Sequence, residues 1–489
     1  MFHFKYSELD MNLYVFAIGG SGSRVLRSLT MLLASGVQTK SEIVPLIIDP
    51  DTSNGDLNRT VSILREYGEV RKELKFGGDY SSTFFSTAIK SLNEDGNYLL
   101  PLGGTKGKKF EEYLSIETMS LANQALTKML FSNNNLSSTM DVGFKGNPNI
   151  GSVVLNQFSQ SNDFTNFENR FVAGDKIFII SSIFGGTGAS GFPLILKTLR
   201  TSENTALKNA KIGAVSLLPY FNLKTSEESS IQSDSFITKT KAALNYYEKN
   251  VTGNNTLDDI YYLGDDFTSL AYDNCDGGDN QSNNAHFVEM LGALSVIDFD
   301  SKYNEESIHE GTTLFHEYGL NTNTVPGKSI SFSDLGGRTK KCIEKPLSMM
   351  AILNSYINNR TTEHRAQQKW AKDRKALLGK SFYDSKFFSD YKDFKDMFEE
   401  WTKEMEENRI SFAPFYDDDS IKEDGLEKIC GVTPQYSGMP LFKKKGYDLI
   451  DVTLGNILGS IPKGNAPETF MELFYRALSK ICTDNLKIE

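Results

Sequence analysis

Residues Ile177–Leu196 read IFIISSIFGGTGASGFPLIL: an apolar run, a glycine-rich break and a second apolar run. Ile177, Phe178, Ile179 and Ile180 are β-branched or aromatic, the composition of a short strand buried on both faces. Gly185, Gly186, Thr187, Gly188, Ala189, Ser190 and Gly191 follow, and no other seven-residue window carries so little side chain. Small residues let backbone N–H groups approach an anion, and a helix starting there points its positive end at the same place. A phosphate cradle has this chemistry. The alternative is a flexible surface turn.

A second loop of the same design stands near the N-terminus. Leu13–Ile18 (LYVFAI) reads as a buried strand and breaks into Gly19, Gly20, Ser21, Gly22, Ser23 and Arg24. Val25, Leu26, Leu29, Leu32 and Leu33 then recur at helical spacing, with Gly36 placed to end the helix. Strand, glycine loop and helix form the front half of a nucleotide-binding βαβ unit. The next strand, Ile43–Ile48, ends in Asp49-Pro50-Asp51. Carboxylates at a strand tip suit a ribose or a metal-bound phosphate. They suit a plain turn equally well.

Two familiar nucleotide patterns fail. The dinucleotide fingerprint GxGxxG needs a third glycine or alanine, and Val25 stands there. The nearest approach to GxxxxGK[ST] is Leu102–Lys109, LGGTKGKK, which lacks the first glycine and the final hydroxyl.

The ordered parts between residues 13 and 221 resemble the tubulin/FtsZ superfamily. Its signature loop reads GGGTGTG or GGGTGSG, and Phe184–Pro193 (FGGTGASGFP) keeps the central GGTG and departs at Phe184, Ala189 and Ser190. A strand ending in a proline over the ribose is similar to Ala214–Phe221 (AVSLLPYF), with Pro219 in place. By the same resemblance Asp49 and Asp51 fall in the second nucleotide loop. Gly103-Gly104-Thr105-Lys106-Gly107 would supply the third. The chain looks more like bacterial tubulin-like proteins than like FtsZ or eukaryotic tubulin.

The resemblance implies a site for GTP or GDP, with Mg²⁺ accompanying a triphosphate. The amides of Gly19–Arg24 would hold the α and β phosphates, and those of Gly185, Gly186, Thr187, Gly188 and Ala189 the β and γ phosphates. The superfamily also carries an NxDxxD or NxDxxE loop whose acids reach the nucleotide of the next subunit in a filament. Asn284–Glu289 reads NAHFVE, keeping Asn284 and Glu289 and placing His286 at the middle acid. Glu289 would then orient the attacking water. Alternatively, Phe287, Met290, Leu291, Leu294 and Ile297 mark the stretch as a buried central helix, with Asn283 or Asn284 on the base. Asp259–Leu263 reads as a strand before Gly264-Asp265-Asp266, where either acid could accept from the guanine edge or simply form a turn.

Composition bounds the rest. The chain has 489 residues, 39% hydrophobic and 24% charged, and carries a net charge of −11. That length suffices for two or three domains. The acidic balance disfavours nucleic acid as the main partner. No apolar run reaches the roughly 20 residues needed to span a bilayer, and MFHFKYSELDMN is not a signal peptide. Four cysteines without a CxxC pair suit reduced thiols in a cytoplasmic protein. Five scattered histidines suggest no metal site built from protein ligands alone.

Beyond residue 300 the resemblance weakens. Ser329–Phe332 reads as a short strand, Pro346–Asn358 as a helix and Pro467–Leu486 as a closing helix. Phe387, Phe388, Tyr391, Phe394, Phe398, Trp401 and Met405 follow a three/four spacing that suits core packing, or less readily a partner-binding helix. The expected fold is α/β. A Rossmann-like parallel-sheet domain spans residues 1–270, a loop and central helix 271–300, and a smaller α+β domain with helical extension 301–489. The expected function is a guanine-nucleotide-binding protein, a GTPase that self-associates so that a neighbour completes its active site. The alternative is a non-polymerising nucleotide-binding module of a larger bacterial assembly, of defence or secretion type, and the departures at Phe184, Ala189 and His286 lend it weight. Val25 and the second glycine loop disfavour a dinucleotide-dependent oxidoreductase.

Overall fold

A computed structural model describes residues 11–76, 84–140, 143–144, 146–224, 236–265, 271–272, 278–279, 281, 283–317, 329–373, 375–408, 410–421, 424–436, 443–462 and 464–489. Its centre is a parallel sheet of six strands: β1 (Asn12–Ile18), β2 (Glu42–Ile48), β3 (Lys176–Ser182), β4 (Ile212–Leu217), β5 (Asp259–Leu263) and β6 (Leu314–Glu317). The spatial order is β2-β1-β3-β4-β5-β6, and every neighbouring pair is parallel. The β-branched runs sit in the interior strands, where both faces are covered. The sixth strand comes from beyond residue 300.

Register brings the strand ends level. Ile18 stands opposite Ile48, Ala17 opposite Ile180, Ser182 opposite Leu217, and Leu217 opposite Leu263. All the turns picked out at strand ends therefore lie along one edge, the carboxyl edge. The chain leaves β1 toward β2 on one side and resumes at β3 on the other. That makes the β1/β3 boundary the switch point at which open α/β sheets place their ligands.

Alternation along β1 separates two helical layers. Ala17 faces α1 (Gly19–Ala34), where a Cβ on Gly22 would come within 2.8 Å of the Ala17 carbonyl carbon. Ile18 faces α4 (Gly186–Arg200), where a Cβ on Gly191 would stand 2.9 Å from the Ile18 side chain. Against α1 pack α2 (Gly55–Lys72) and α6 (Phe287–Lys302). Against α4 packs α3 (Pro148–Leu155). Phe16 meets Phe158 and Phe167 on the α4 side, and Phe178 meets Phe299 of α6 on the other.

The aromatic stripe forms α8 (Lys386–Glu406), and its seven apolar residues are buried within the chain rather than offered to a partner. Phe394 lies against Tyr67 of α2, and Trp401 donates from Nε1 to Ser28 Oγ of α1 at 3.1 Å. Further upstream, α7 (Gly337–Asn359) starts nine residues earlier than Pro346, which it contains. Ser329–Phe332 is not a strand. Ile330 makes one bridge to Phe412, and the Ser331 N–H, at the start of a short turn, donates to Asp334 Oδ2 at 2.9 Å. The closing helix is α9 (Ala466–Ile481), extended by a wider turn over Cys482–Leu486. Among the described residues no helix is long and apolar enough to cross a membrane.

Candidate functional site

The first glycine loop is almost entirely helix. Gly19 turns the chain at φ +71°, a conformation that costs glycine little, and α1 begins there directly from β1. The second behaves alike: only Ile183–Gly185 form the turn, and α4 opens at Gly186. Neither helix has a side-chain N-cap, and neither carries an acid in its first turn. Their first N–H groups thus lack the side-chain partner that most helices provide. The two starts adjoin. A Cβ on Gly19 would stand 3.3 Å from Thr187 Cβ and 3.7 Å from Gly188 N.

The glycines divide by what stands opposite them. Gly22, Gly188 and Gly191 permit close packing; a Cβ on Gly188 would meet Ser182 O at 2.7 Å. Gly20 has open space, with nothing within 4 Å of a Cβ, and Gly20, Ser21, Gly185 and Thr187 are half-buried. Ser23 is buried, donating to Gly19 O at 3.3 Å. Ala189 is buried, and its carbonyl accepts from Tyr247 OH at 3.3 Å.

A third glycine turn joins them, and it is not the expected one. A Cβ on Gly186 would meet the amide nitrogens of Gly146 and Asn147, each at 3.1 Å. Gly143 and Gly146 have positive φ, the Asn147 N–H donates to Phe144 O at 2.8 Å, and Pro148 opens α3. Gly143 also faces Pro50 at 3.9 Å. By contrast, Gly104 lies against Tyr113, and buried Thr105 accepts from Lys108 N within its own turn. Two glycines followed by Asn-Pro before an apolar helix were the readable signal for the nearer turn. Lys239 of α5 (Phe236–Tyr247) reaches the same place: its Nζ would stand 3.1 Å from a Cβ on Gly146. Burial lowers its pKa, and among the described residues it forms no ion pair.

At the tip of β2 the two acids differ. Asp49 is buried, and desolvation pushes its carboxyl up to about 7, although the Asp51 N–H donates to it at 3.0 Å. Asp51 accepts from Ser53 and, at 2.7 Å, from Gly278 N. Among the described residues no group of three His, Cys, Asp or Glu side chains could hold a metal ion.

Arg24 points away from the glycine turns into a buried ionic cluster. Its Nε donates to Glu289 Oε1 at 2.6 Å, Nη1 to Asp56 Oδ2 at 3.2 Å, and Nη2 to Tyr220 OH. Tyr220 OH in turn donates to Glu289 Oε1 at 2.8 Å. Burial works against the guanidinium charge, but Tyr220, Glu289 and Asp56 outweigh it and hold its pKa well above the ordinary value. Glu289 is 0% exposed, and its other oxygen accepts from His286 N at 3.0 Å, capping α6. His286 Nδ1 accepts from Val288 N at 3.0 Å, so its Nε2 carries the proton toward Asp265 Oδ2, 4.0 Å away. Asn284 donates to Glu407 at 2.9 Å, and Asn283 to Asp56. The cleft bounded by Arg24, Tyr220, Phe221, Asn283, His286 and Glu289 measures about 10 Å³, the room of one water. Pro219, next to Tyr220 in the chain, is buried, and its carbonyl accepts from Asp265 N at 3.3 Å. Asp266 lies outside the described residues.

No family model matches the chain, and no curated protein matches it. Solved structures do. CetZ from Methanosaeta thermophila is 18% identical, over 52% of this chain and 46% of that one, with a TM-score of 0.27. CetZ2 from Haloferax volcanii, a GTPγS-bound protofilament, is 12% identical over 60% and 59% at 0.29. FtsZ of M. jannaschii is 15% identical over 52% and 47% at 0.26. The match spans about half the length of the first of these relatives. The chain's fold is the expected α/β one, a six-stranded parallel sheet with glycine turns ending β1 and β3.

Proposed function

We propose that the chain binds the phosphates of a nucleotide at the β1/β3 boundary, and that the nucleotide is GTP or GDP. The observation that carries this reading is the meeting of two uncapped, acid-free helix starts at the switch point of the sheet. The amides of Gly19–Ser21 and Gly185–Thr187, with the Gly146–Asn147 turn, would hold the anion. A Mg²⁺ would arrive with a triphosphate and take most of its ligands from the phosphates and water. Guanine preference rests on the family resemblance, with Asp265 or Asp266 as acceptor.

Two readings differ on what the nucleotide does. Completion of a neighbour's active site needs an acid presented outward. Glu289 is instead committed to Arg24, Tyr220 and His286 of its own chain. That favours the nucleotide-binding module, with the nucleotide as fixed ligand or switch, over the self-assembling GTPase.

The test is Gly20→Asp. The position is open, and an acid in a first helical turn favours the helix, so folding stability should hold or rise slightly. A carboxylate among the phosphate-binding amides should lower guanine-nucleotide affinity at least tenfold, about 1.4 kcal/mol. Unchanged affinity in the folded variant would sink the phosphate assignment. Release of NAD(P) instead of GDP or GTP from the denatured wild-type protein would sink the nucleotide class.

A further inference from the structure

Residues 108 and 140 are the two ends of an excursion from the fold. Met140 N donates to Lys108 O at 3.1 Å and Phe110 N to Ser138 O at 3.0 Å, so the segment between them is a lobe closed at its neck. Phe110 and Leu136 are buried near that neck, and Phe131 stands edge-on to Phe110 at 5.0 Å. The lobe carries the helix Leu121–Leu130, LANQALTKML. Ser120 caps it, its Oγ accepting from Asn123 N at 3.3 Å. None of its ten residues is buried.

This helix is turned inside out. At about 100° per residue, Leu121, Ala122, Ala125, Leu126, Met129 and Leu130 occupy one half of its circumference, and Asn123, Gln124, Thr127 and Lys128 the other. The polar half faces the chain. Gln124 and Thr127 are the two half-buried residues, and both reach back to Met119: Gln124 Nε2 donates to its carbonyl at 3.0 Å, Thr127 Oγ1 to its sulfur at 3.7 Å. The apolar half faces outward, with Leu121 84%, Leu126 53%, Met129 84% and Leu130 64% exposed. These are four of the twelve large apolar side chains that stand exposed among the described residues, gathered on one helix. A helix this short draws its stability from packing of its apolar stripe rather than from propensity. That packing has to come from outside the chain.

We infer that the stripe is covered by the same stripe of a second copy of this chain, the two helices antiparallel about a twofold axis. An isologous contact must be complementary to itself. Reversed end for end about the midpoint between Ala125 and Leu126, the stripe maps onto itself. Leu121 falls level with Leu130 of the second copy, Ala122 with its Met129, and Ala125 with its Leu126. Two of these levels set a small side chain against a large one, which lets the stripes interdigitate. Parallel pairing would instead set Ala122 on Ala122 and Met129 on Met129, a void beside a bulge. The stripe carries no charge to bury. A membrane surface is the poorer occupant: the helix offers anionic lipid one basic residue, Lys128, on a chain of net charge −11. A helix of ten residues is about 15 Å long, so the contact lies at the small end of specific interfaces, and the dimer should form at micromolar chain concentrations.

Sedimentation velocity of the full chain between about 1 and 100 μM should show a monomer–dimer equilibrium that stops at two, because a twofold contact closes. The Leu126→Glu/Met129→Glu double variant should stay monomeric throughout. Both positions are exposed, so its melting temperature at low concentration should match wild type. Oxidative cross-linking reads the direction of pairing. Ala122→Cys mixed with Met129→Cys should give a disulfide-linked pair, and neither alone should; wild type, with its four native cysteines, is the background. A chain monomeric throughout, a dimer untouched by the double variant, or cross-linking of each single variant with itself in place of the mixture overturns the inference. Failure here leaves the nucleotide reading standing, and the reverse holds too: association should be the same with and without GDP, and the substitutions lie outside the glycine turns.

Discussion

Arg24 shows what one buried charge demands of its surroundings. At 4% exposure it is tolerable only because Glu289, Asp56 and Tyr220 converge on it. Arg24→Met should remove about 3–5 kcal/mol of stability, because two acids are left buried without their cation. Pairing it with Glu289→Gln should recover part of the loss, and denaturant unfolding of the single and double variants checks this. Equal destabilisation in both would mean that the cluster contributes nothing as a cluster. Asp49 makes a pH prediction. Its folded value of about 7 lies above the ordinary 3.8, so the folded state binds the proton more tightly than the unfolded chain. The stability it contributes is full below pH about 4 and is lost as pH rises toward 7, by at most about 1.4 kcal/mol per unit. Asp49→Asn should flatten the stability profile across that window. A variant profile parallel to wild type would place the carboxyl in water.

At the scale of elements, the seating of α1 on β1 depends on Gly22. A Cβ there would come within 2.8 Å of Ala17 backbone, whereas Gly20 in the same turn faces open space. Gly22→Ala should therefore destabilise by about 1–3 kcal/mol, and Gly20→Ala should be neutral or add up to about 1 kcal/mol by helix propensity. Equal melting temperatures for the two variants would show that α1 can shift freely on the sheet. The α8 stripe is structural by the same kind of argument. Phe394 is fully buried between Phe85 and Tyr67, and Phe394→Ala should cost about 3–5 kcal/mol.

Across the whole molecule, α8 ties the C-terminal half to the floor of the cleft. Glu404 accepts from the Ala285 N–H at 2.7 Å, pairs with Arg59, and lies 3.4 Å from buried Arg27. Arg59 also donates to Asn283 O at 3.3 Å. One carboxylate of α8 thus holds α1, α2 and the loop before α6 together. With Glu289 turned into this interior, nucleotide turnover per chain should be independent of protein concentration. Turnover that climbs with concentration, together with selective loss in Glu289→Ala, would restore an active site shared between subunits.

What the sequence determined by itself is local. Apolar runs such as LYVFAI and IFII can be buried only on both faces, so a parallel sheet was legible from residue types alone, and so was a helix with the 387–405 aromatic stripe inside the fold. The two glycine breaks were legible for the same reason: few other residues can turn so tightly at a strand end. The tertiary structure decided everything that depends on what stands opposite. Whether a glycine opens a site, as Gly20 does, or only seats a helix, as Gly22 does, is set by a neighbouring element. The turn that reaches Gly186 is that of Gly146 and Asn147 rather than 103–107 because α3 packs on α4 and carries that turn to the switch point. Arg24 and Glu289 look, in sequence, like a phosphate ligand and a catalytic acid. Folding sets them 2.6 Å apart in a water-poor interior, where opposite charges must answer each other before either can serve a ligand.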